Sequence, residues 1–279
     1  MNKILANNPS QKMKIDVHTH STFSLDGISS LTDMLETAYQ KGIQYYGVAE
    51  HFNADYLDTI NHFFQKMDVA EYFRFGRELQ EKYAKEMSVA IGAEFGFAED
   101  EKAHRTYQAL IDTYHPDFVV NSIHSFGGVD YAFLKKVLPP HDSCTSYLQL
   151  VRKSLEAPYH YDIVAHIGYV LRYIENGDAT VFFNTYREQL RDILQTVIDK
   201  DKILEVNTSS YGLPQATIPD EQILSLYYEL GGRKISFGSD AHAVDRVGDK
   251  FDEVVSLLKS IGFEHFTVPF RGEHIQVSL

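Results

Sequence analysis

Short apolar runs rich in β-branched residues recur along the chain, at residues 15–17, 45–49, 89–92, 118–123, 163–165, 203–206 and 235–237. Each has the length of a buried parallel strand. Between them the apolar period changes to that of a helix. Leu31, Met34, Leu35, Ala38 and Tyr39 follow i, i+3, i+4, i+7 and i+8, with Ser29 or Ser30 as N-cap and Gly42 as stop. Residues 184–199, 219–230 and 251–261 read the same way, and Pro219 suits a first helical turn. Strands alternating with helices predict a parallel sheet, either closed as a barrel or open and doubly wound.

The polar residues choose between the two. In an open sheet, chemistry gathers at one switch point, whereas the βα loops of a barrel all converge on one face. Here six of the seven runs end in His, Asp or Glu. The first ends Asp16-Val17-His18-Thr19-His20, followed by Asp26-Gly27 in a turn. The others end Glu50-His51, Glu94, His124, His166 and Asp240-Ala241-His242. Side chains two apart in a strand share a face, so His18 and His20 project together. Imidazole and carboxylate suit Zn²⁺, Fe and Mn²⁺. No Gly-x-Gly-x-x-Gly follows the first run, so a dinucleotide site is unsupported. The pattern therefore favours an α/β barrel, with ligand-type residues converging at the C-terminal ends of its strands.

Composition narrows the class. The 279 residues fit one α/β barrel, which takes roughly 250. With 26 Lys+Arg against 39 Asp+Glu the net charge is −13, which argues against gripping nucleic acid or an anionic membrane over the whole surface. The single cysteine, Cys144, excludes a disulfide framework and a Cys-rich zinc site. No run approaches the ~20 apolar residues of a membrane span. The start shows no secretory h-region, so the cytoplasm is the expected location. Residues 1–12 read as a flexible extension, or Met13 as the true start, and residues 13–279 as a single domain.

The motifs from Asp16 to His242 resemble those of the polymerase and histidinol phosphatase (PHP) superfamily of metallophosphoesterases. That resemblance implies a distorted (β/α)₇ TIM-like barrel with its metal site at the C-terminal ends of the strands, and up to three divalent ions. One is held by His18, His20, Glu94 and Asp240, a second by Glu94, His124 and His166, and a third by Asp26, His51 and His242. Glu94 then bridges the first two. Asp16 and Glu50 are expected to orient imidazoles from behind, as ligand histidines usually require.

Such a cluster would be positive, the complement of a phosphate dianion. Bound metal can bring the pKa of water from 15.7 to about 7, so a bridging hydroxide can attack phosphorus with no protein nucleophile. Asp240 and His242 are the candidate proton donors to the leaving oxygen. Arg172 and Arg246, each a few residues beyond a ligand position, are candidate phosphate forks, with Arg172 preferred. Asn207 and Ser209, at the end of the sixth run, are candidates for hydrogen bonds to substrate or for capping their loop. Phe23, Phe52, Phe126 and Tyr169 could wall an organic leaving group. His62, His104, His115, His141, His160, His265 and His274 read as bystanders.

The length and the opening stretch from His18 to Gly27 look most like the stand-alone histidinol-phosphate phosphatase type. Residues 52–87 and 125–160 could cover a small substrate. The implied reaction is hydrolysis of L-histidinol phosphate to L-histidinol and phosphate, a step of histidine biosynthesis. The alternatives are the same chemistry on nucleotides or another small phosphomonoester, a non-catalytic metal-binding barrel, and carbon–nitrogen hydrolysis. The last lacks a lysine at the end of the fourth run.

Overall fold

A computed structural model describes residues 12–54, 67–210 and 212–279. The seven runs form one seven-stranded sheet in chain order: Ile15–Asp16, Tyr45–Phe52, Ser88–Gly96, Val119–Ser122, Ile163–Val164, Ile203–Asn207 and Ile235–Gly238. Every pairing between neighbours is parallel. The first and last strands meet through backbone hydrogen bonds. Val17 N donates to Phe237 O, Asp240 N to His18 O and His20 N to Ala241 O, each at 2.8 Å, and Thr19 bridges Ala241 in parallel. The ring is therefore nearly closed, and the distorted TIM-like barrel expected from the sequence is what forms. Helices cover the outside, so the strands are buried on both faces, and all nine residues of Ser88–Gly96 are buried.

Local chemistry sets the helix limits. Ser30 rather than Ser29 caps Leu31–Gln40, its side chain accepting from Asp33 N, and Gly42 (φ 71°) turns the chain out of the helix. Phe251–Ile261 forms as predicted. The predicted helix at 184–199 begins earlier, at Ala179, where the Asp178 carboxylate caps Thr180 N and Val181 N. Tyr186 departs from helical geometry (φ −114°, ψ 20°), which breaks the apolar period near the start of the helix. Pro219 is not in a first helical turn. The helix is Glu221–Glu229, Asp220 caps it by accepting from Gln222 N and Ile223 N, and Pro219 precedes the cap. An Asp carboxylate satisfies free N–H groups of the first turn, which proline cannot do.

A C-terminal antiparallel hairpin, His265–Phe270 with Glu273–Ser278, lies outside the barrel pattern and was not foreseen. Its turn residues, Arg271 (φ 52°) and Gly272 (φ 82°), are both left-handed, as a tight hairpin requires. It covers the end of the barrel opposite the histidines: Tyr45 Oη donates to Pro269 O, and Arg271 Nε to Asp117 Oδ1 at 2.8 Å. Of the expected extension, residues 1–11 lie outside the described residues, and Lys12 bridges Ser278. No helix among the described residues is long and apolar enough to cross a membrane.

Candidate metal centre

All nine ligand candidates gather at the C-terminal ends of the strands, around Glu94. Its Oε1 lies 3.2 Å from both His124 Nε2 and His166 Nε2. Its Oε2 lies 3.5 Å from His18 Nε2, 3.6 Å from His20 Nε2 and 2.5 Å from His51 Nδ1. Asp240 Oδ1 approaches His20 Nε2 to 3.2 Å, and Asp26 Oδ2 lies 3.2 Å from His242 Nε2 and 3.6 Å from His51 Nε2. The His166 (φ 30°) and Asp240 (φ 52°) backbones are left-handed, a conformation L-residues avoid and one that here turns both side chains inward.

Several nitrogens face one another: His18 Nε2 and His20 Nε2 at 3.1 Å, His124 Nε2 and His166 Nε2 at 3.4 Å, His51 Nε2 and His242 Nε2 at 3.4 Å. Glu94 Oε2 and His51 Nδ1 are buried and, though close, are not aligned in a hydrogen bond. Lone pairs converging in this way fit divalent cations. Three sets of donor atoms are close enough to share an ion: His18, His20 and Asp240; His51, Glu94 and His124; His20, His51 and His242. The grouping departs from the expected division at His20, which also joins His51 and His242, and at His51, which joins Glu94 and His124 and faces Glu94 with one ring nitrogen and Asp26 with the other.

Electrostatics favour ligand forms at several positions. Burial pushes His20 well below the ordinary imidazole range, helped by neighbouring His51 and His242, and keeps it neutral. Burial alone would raise Glu94, but His124, His51 and His18 hold it well below the usual carboxylate range. Asp240 is held low against its burial by a hydrogen bond from His20 and by nearby His18, His242 and Arg172. His18 is raised despite burial, because Glu205 and Glu94 flank it.

The supporting acids differ from those expected. Asp16 hydrogen-bonds no imidazole among the described residues: it accepts from Ser239 N (2.9 Å), Ser239 Oγ (2.6 Å) and Gly248 N (2.8 Å), fixing the loop that carries Asp240. Glu50 accepts from Ser21 N at 3.0 Å and from the Ser21 and Ser24 hydroxyls, so it reaches His20 only through Ser24 Oγ, 3.4 Å from His20 Nδ1. The acid behind an imidazole is Glu205, in the sixth strand. Its Oε1 accepts from His18 Nδ1 at 2.5 Å, and its Oε2 from His166 N at 2.9 Å and Asn207 Nδ2 at 3.2 Å. Sequence reasoning passed over Glu205. The available signal was a lone acid inside an apolar run. Gly238 makes room for it: a Cβ there would lie 2.5 Å from Glu205 Oε1. Asn53 was also missed; its Oδ1 lies 3.2 Å from His124 Nδ1.

The centre opens into a cavity of ≈ 380 Å³. Arg172 lines it, nearly buried, with its guanidinium 4.8 Å over the Tyr169 ring and Nη2 donating to Asp240 Oδ2 (3.3 Å) and Asn207 Oδ1 (3.4 Å). Asn207 is fully buried, does not line the cavity, and ties Glu205 to Asp240. Arg246 is not at the cavity either; it pairs with Asp249 at 2.8 Å. Phe23 and Tyr169 line the wall, whereas Phe52 packs on Phe95 and Phe126 stands outside, half-exposed. Asp240 and His242 both face the cavity. Ser209 N donates to Asn207 Oδ1 at 2.8 Å, which gives this stretch a loop-fixing contact. Of the segment 52–87, residues 55–66 lie outside the described residues, while Met67 lines the cavity. The segment 125–160 supplies Asp130. Among the bystanders, His62 lies outside the described residues; His141 is exposed beside Asp142, and His160 and His274 contact Asp162.

A barrel with this ring of histidines and carboxylates at its strand ends defines a class, and comparison with known proteins gives it a name. The PHP domain family matches residues 16–209, most of the chain, and the chain belongs to that family. A probable histidinol-phosphatase of Thermotoga maritima is 29% identical over 262 residues, covering 91% of this chain and 95% of the relative. The histidinol-phosphatase of Lactococcus lactis is 27% identical over 274 residues, covering 94% and 96%. The crystal structure of histidinol phosphate phosphatase from L. lactis, complexed with zinc, L-histidinol and phosphate, superimposes with a TM-score of 0.80 at 24% identity, covering 94% of this chain and 98% of that one.

Proposed function

We propose that the chain is a metal-dependent phosphomonoesterase that hydrolyses L-histidinol phosphate to L-histidinol and phosphate. The observation that carries the chemistry is Glu94 amid five imidazoles, two of which, His51 and His124, line a cavity that Arg172 also lines. The substrate follows from the relatives, whose names agree over nine-tenths or more of the chain. The nine positions His18, His20, Asp26, His51, Glu94, His124, His166, Asp240 and His242 would hold two or three divalent ions of the Zn, Fe or Mn kind. Such ions lower the pKa of water and polarise phosphate oxygens.

The remaining steps belong to side chains. Arg172, clamped by Asp240 and Asn207, presents a pre-oriented guanidinium to phosphate oxygens without having to be ordered on binding. Asp240 and His242, both at the cavity wall, are the route by which a proton reaches the leaving alkoxide. Phe23 and Tyr169 give the organic part an apolar flank. Arg246 and Asn207 act at most through their neighbours, since neither borders the cavity.

Phosphate release from histidinol phosphate, measured beside nucleoside monophosphates with metal content determined on the same sample, tests the reading. Saturable hydrolysis preferring histidinol phosphate is expected, with activity and metal both lost in His18→Ala and Glu94→Ala. Full activity in either variant, or a preference for nucleotides, would overturn it.

A further inference from the structure

The phosphatase reading leaves one end of the substrate without a partner. L-Histidinol phosphate carries an ammonium group beside its phosphate, and the cluster and Arg172 provide only for the phosphate. Three described carboxylates line the cavity: Asp26, Asp130 and Asp240. Asp26 and Asp240 are engaged by imidazoles. Asp130 lies outside that cluster. It ends the small hairpin Ser125–Phe126/Val129–Asp130 that begins immediately after His124. The hairpin is tied back by Tyr131 N donating to His124 O at 3.0 Å, so a candidate ligand position and Asp130 belong to one hydrogen-bonded segment. Tyr173, whose hydroxyl is 2.9 Å from that of Tyr169, lines the same wall as the Arg172–Tyr169 stack. The cavity therefore has a cation for phosphate and, outside the ligand set, a carboxylate.

Resting on the phosphatase reading, we propose that Asp130 receives the ammonium group of the substrate and makes the site select phosphomonoesters of amino alcohols over uncharged ones. Asp130 also caps the turn Tyr131–Leu134, its Oδ1 accepting from Ala132 N at 2.7 Å. The cap takes one of the roughly four acceptor positions that a carboxylate offers. Fixing the carboxylate through its cap also reduces the ordering cost when ligand arrives.

Asp130→Asn is the informative substitution, because asparagine caps a helix as well as aspartate does and removes only the charge. The holoenzyme and this variant are compared on histidinol phosphate, O-phosphoethanolamine and p-nitrophenyl phosphate. A hydrogen bond to a charged group corresponds to roughly 10- to 100-fold in binding, and partial solvent access favours the lower end. The expected result is that kcat/KM for the two ammonium esters falls at least about tenfold further than for p-nitrophenyl phosphate, chiefly through KM, with partial recovery in Asp130→Glu. Equal losses on all three substrates would make Asp130 structural, and no loss on any would remove it from the site. If the wild type rejected histidinol phosphate yet the variant lost ground selectively on phosphoethanolamine, the assignment of Asp130 would stand and the parent substrate would be wrong.

Discussion

Replacing Glu205 by glutamine tests whether the metal centre is set from behind. The side chain is buried and keeps its size in the variant. Its carboxylate, purely an acceptor, faces His18 Nδ1 with one oxygen and the donors His166 N and Asn207 Nδ2 with the other. This requires the His18 proton on Nδ1 and leaves the Nε2 lone pair pointing at Glu94 and His20. Glutamine cannot accept on both sides. With its oxygen kept toward His166 and Asn207, its NH₂ meets His18 Nδ1, and His18 must adopt the other tautomer, placing a proton on Nε2 where a lone pair is needed. With the amide reversed, NH₂ confronts two backbone and side-chain donors. Either way a charge-assisted hydrogen bond is lost, about 1.5–3 kcal/mol. At about 1.4 kcal/mol per tenfold that is roughly a 10- to 100-fold weakening of metal retention, and the same range is typical of changes behind metal ligands. Chelator titration of the purified variant, with circular dichroism as the control for folding, reads the effect directly. A folded Glu205→Gln protein that holds metal as tightly as wild type would refute the argument.

Two further outcomes follow from other parts of the chain. Arg172→Lys keeps a positive charge beside Asp240 but loses the fork, so kcat/KM should fall roughly 10- to 100-fold with metal content unchanged; loss of metal would contradict a phosphate-binding role. Burial pushes the Cys144 thiol up to about 12, so at pH 8 a thiol reagent should label it only after denaturant is added. The sign is that of an acid kept neutral by folding: the contribution to stability is full below the unfolded pKa near 8.5 and is lost as pH rises, by ~2 kcal/mol at pH 10.

The residues most legible in the sequence were those at which an apolar run stops. His51, Glu94, His124 and His166 each interrupt β-branched residues at a strand end, and a barrel collects all strand ends on one face. What escaped was polar chemistry inside an element or set by tertiary contact. Glu205 lies between Leu204 and Val206 in a fully buried strand, and only the approach of the first strand across the barrel shows which imidazole it serves. Asp16 and Glu50 carry the same side-chain type at similar strand positions, yet fix loops through serine and glycine. Arg246 follows a candidate ligand position by four residues, as Arg172 does by six, and both offsets place the arginine in a βα loop. A 3₁₀ turn over Val244–Arg246 aligns it with Asp249 instead. Offset along the chain fixes which loop a residue occupies, but not which way that loop turns.

The geometry also couples the centre to the fold. The seam between the first and last strands is made largely by the backbone of candidate ligand residues: Asp240 N donates to His18 O, and His20 N to Ala241 O. These partners are more than two hundred residues apart, so the seam is among the longest-range contacts in the molecule. Loop closure over such a span is entropically costly, and a few backbone hydrogen bonds return little of it. Ions held by His18, His20 and Asp240 would join the same two strand ends through side chains, adding binding free energy to the closed ring alone. The shortest strands of the sheet include Ile15–Asp16, on one side of this seam. A sheet that pairs so little there would gain most from such a cross-link, which would give the placement of His18 and His20 a structural purpose alongside the proposed chemical one.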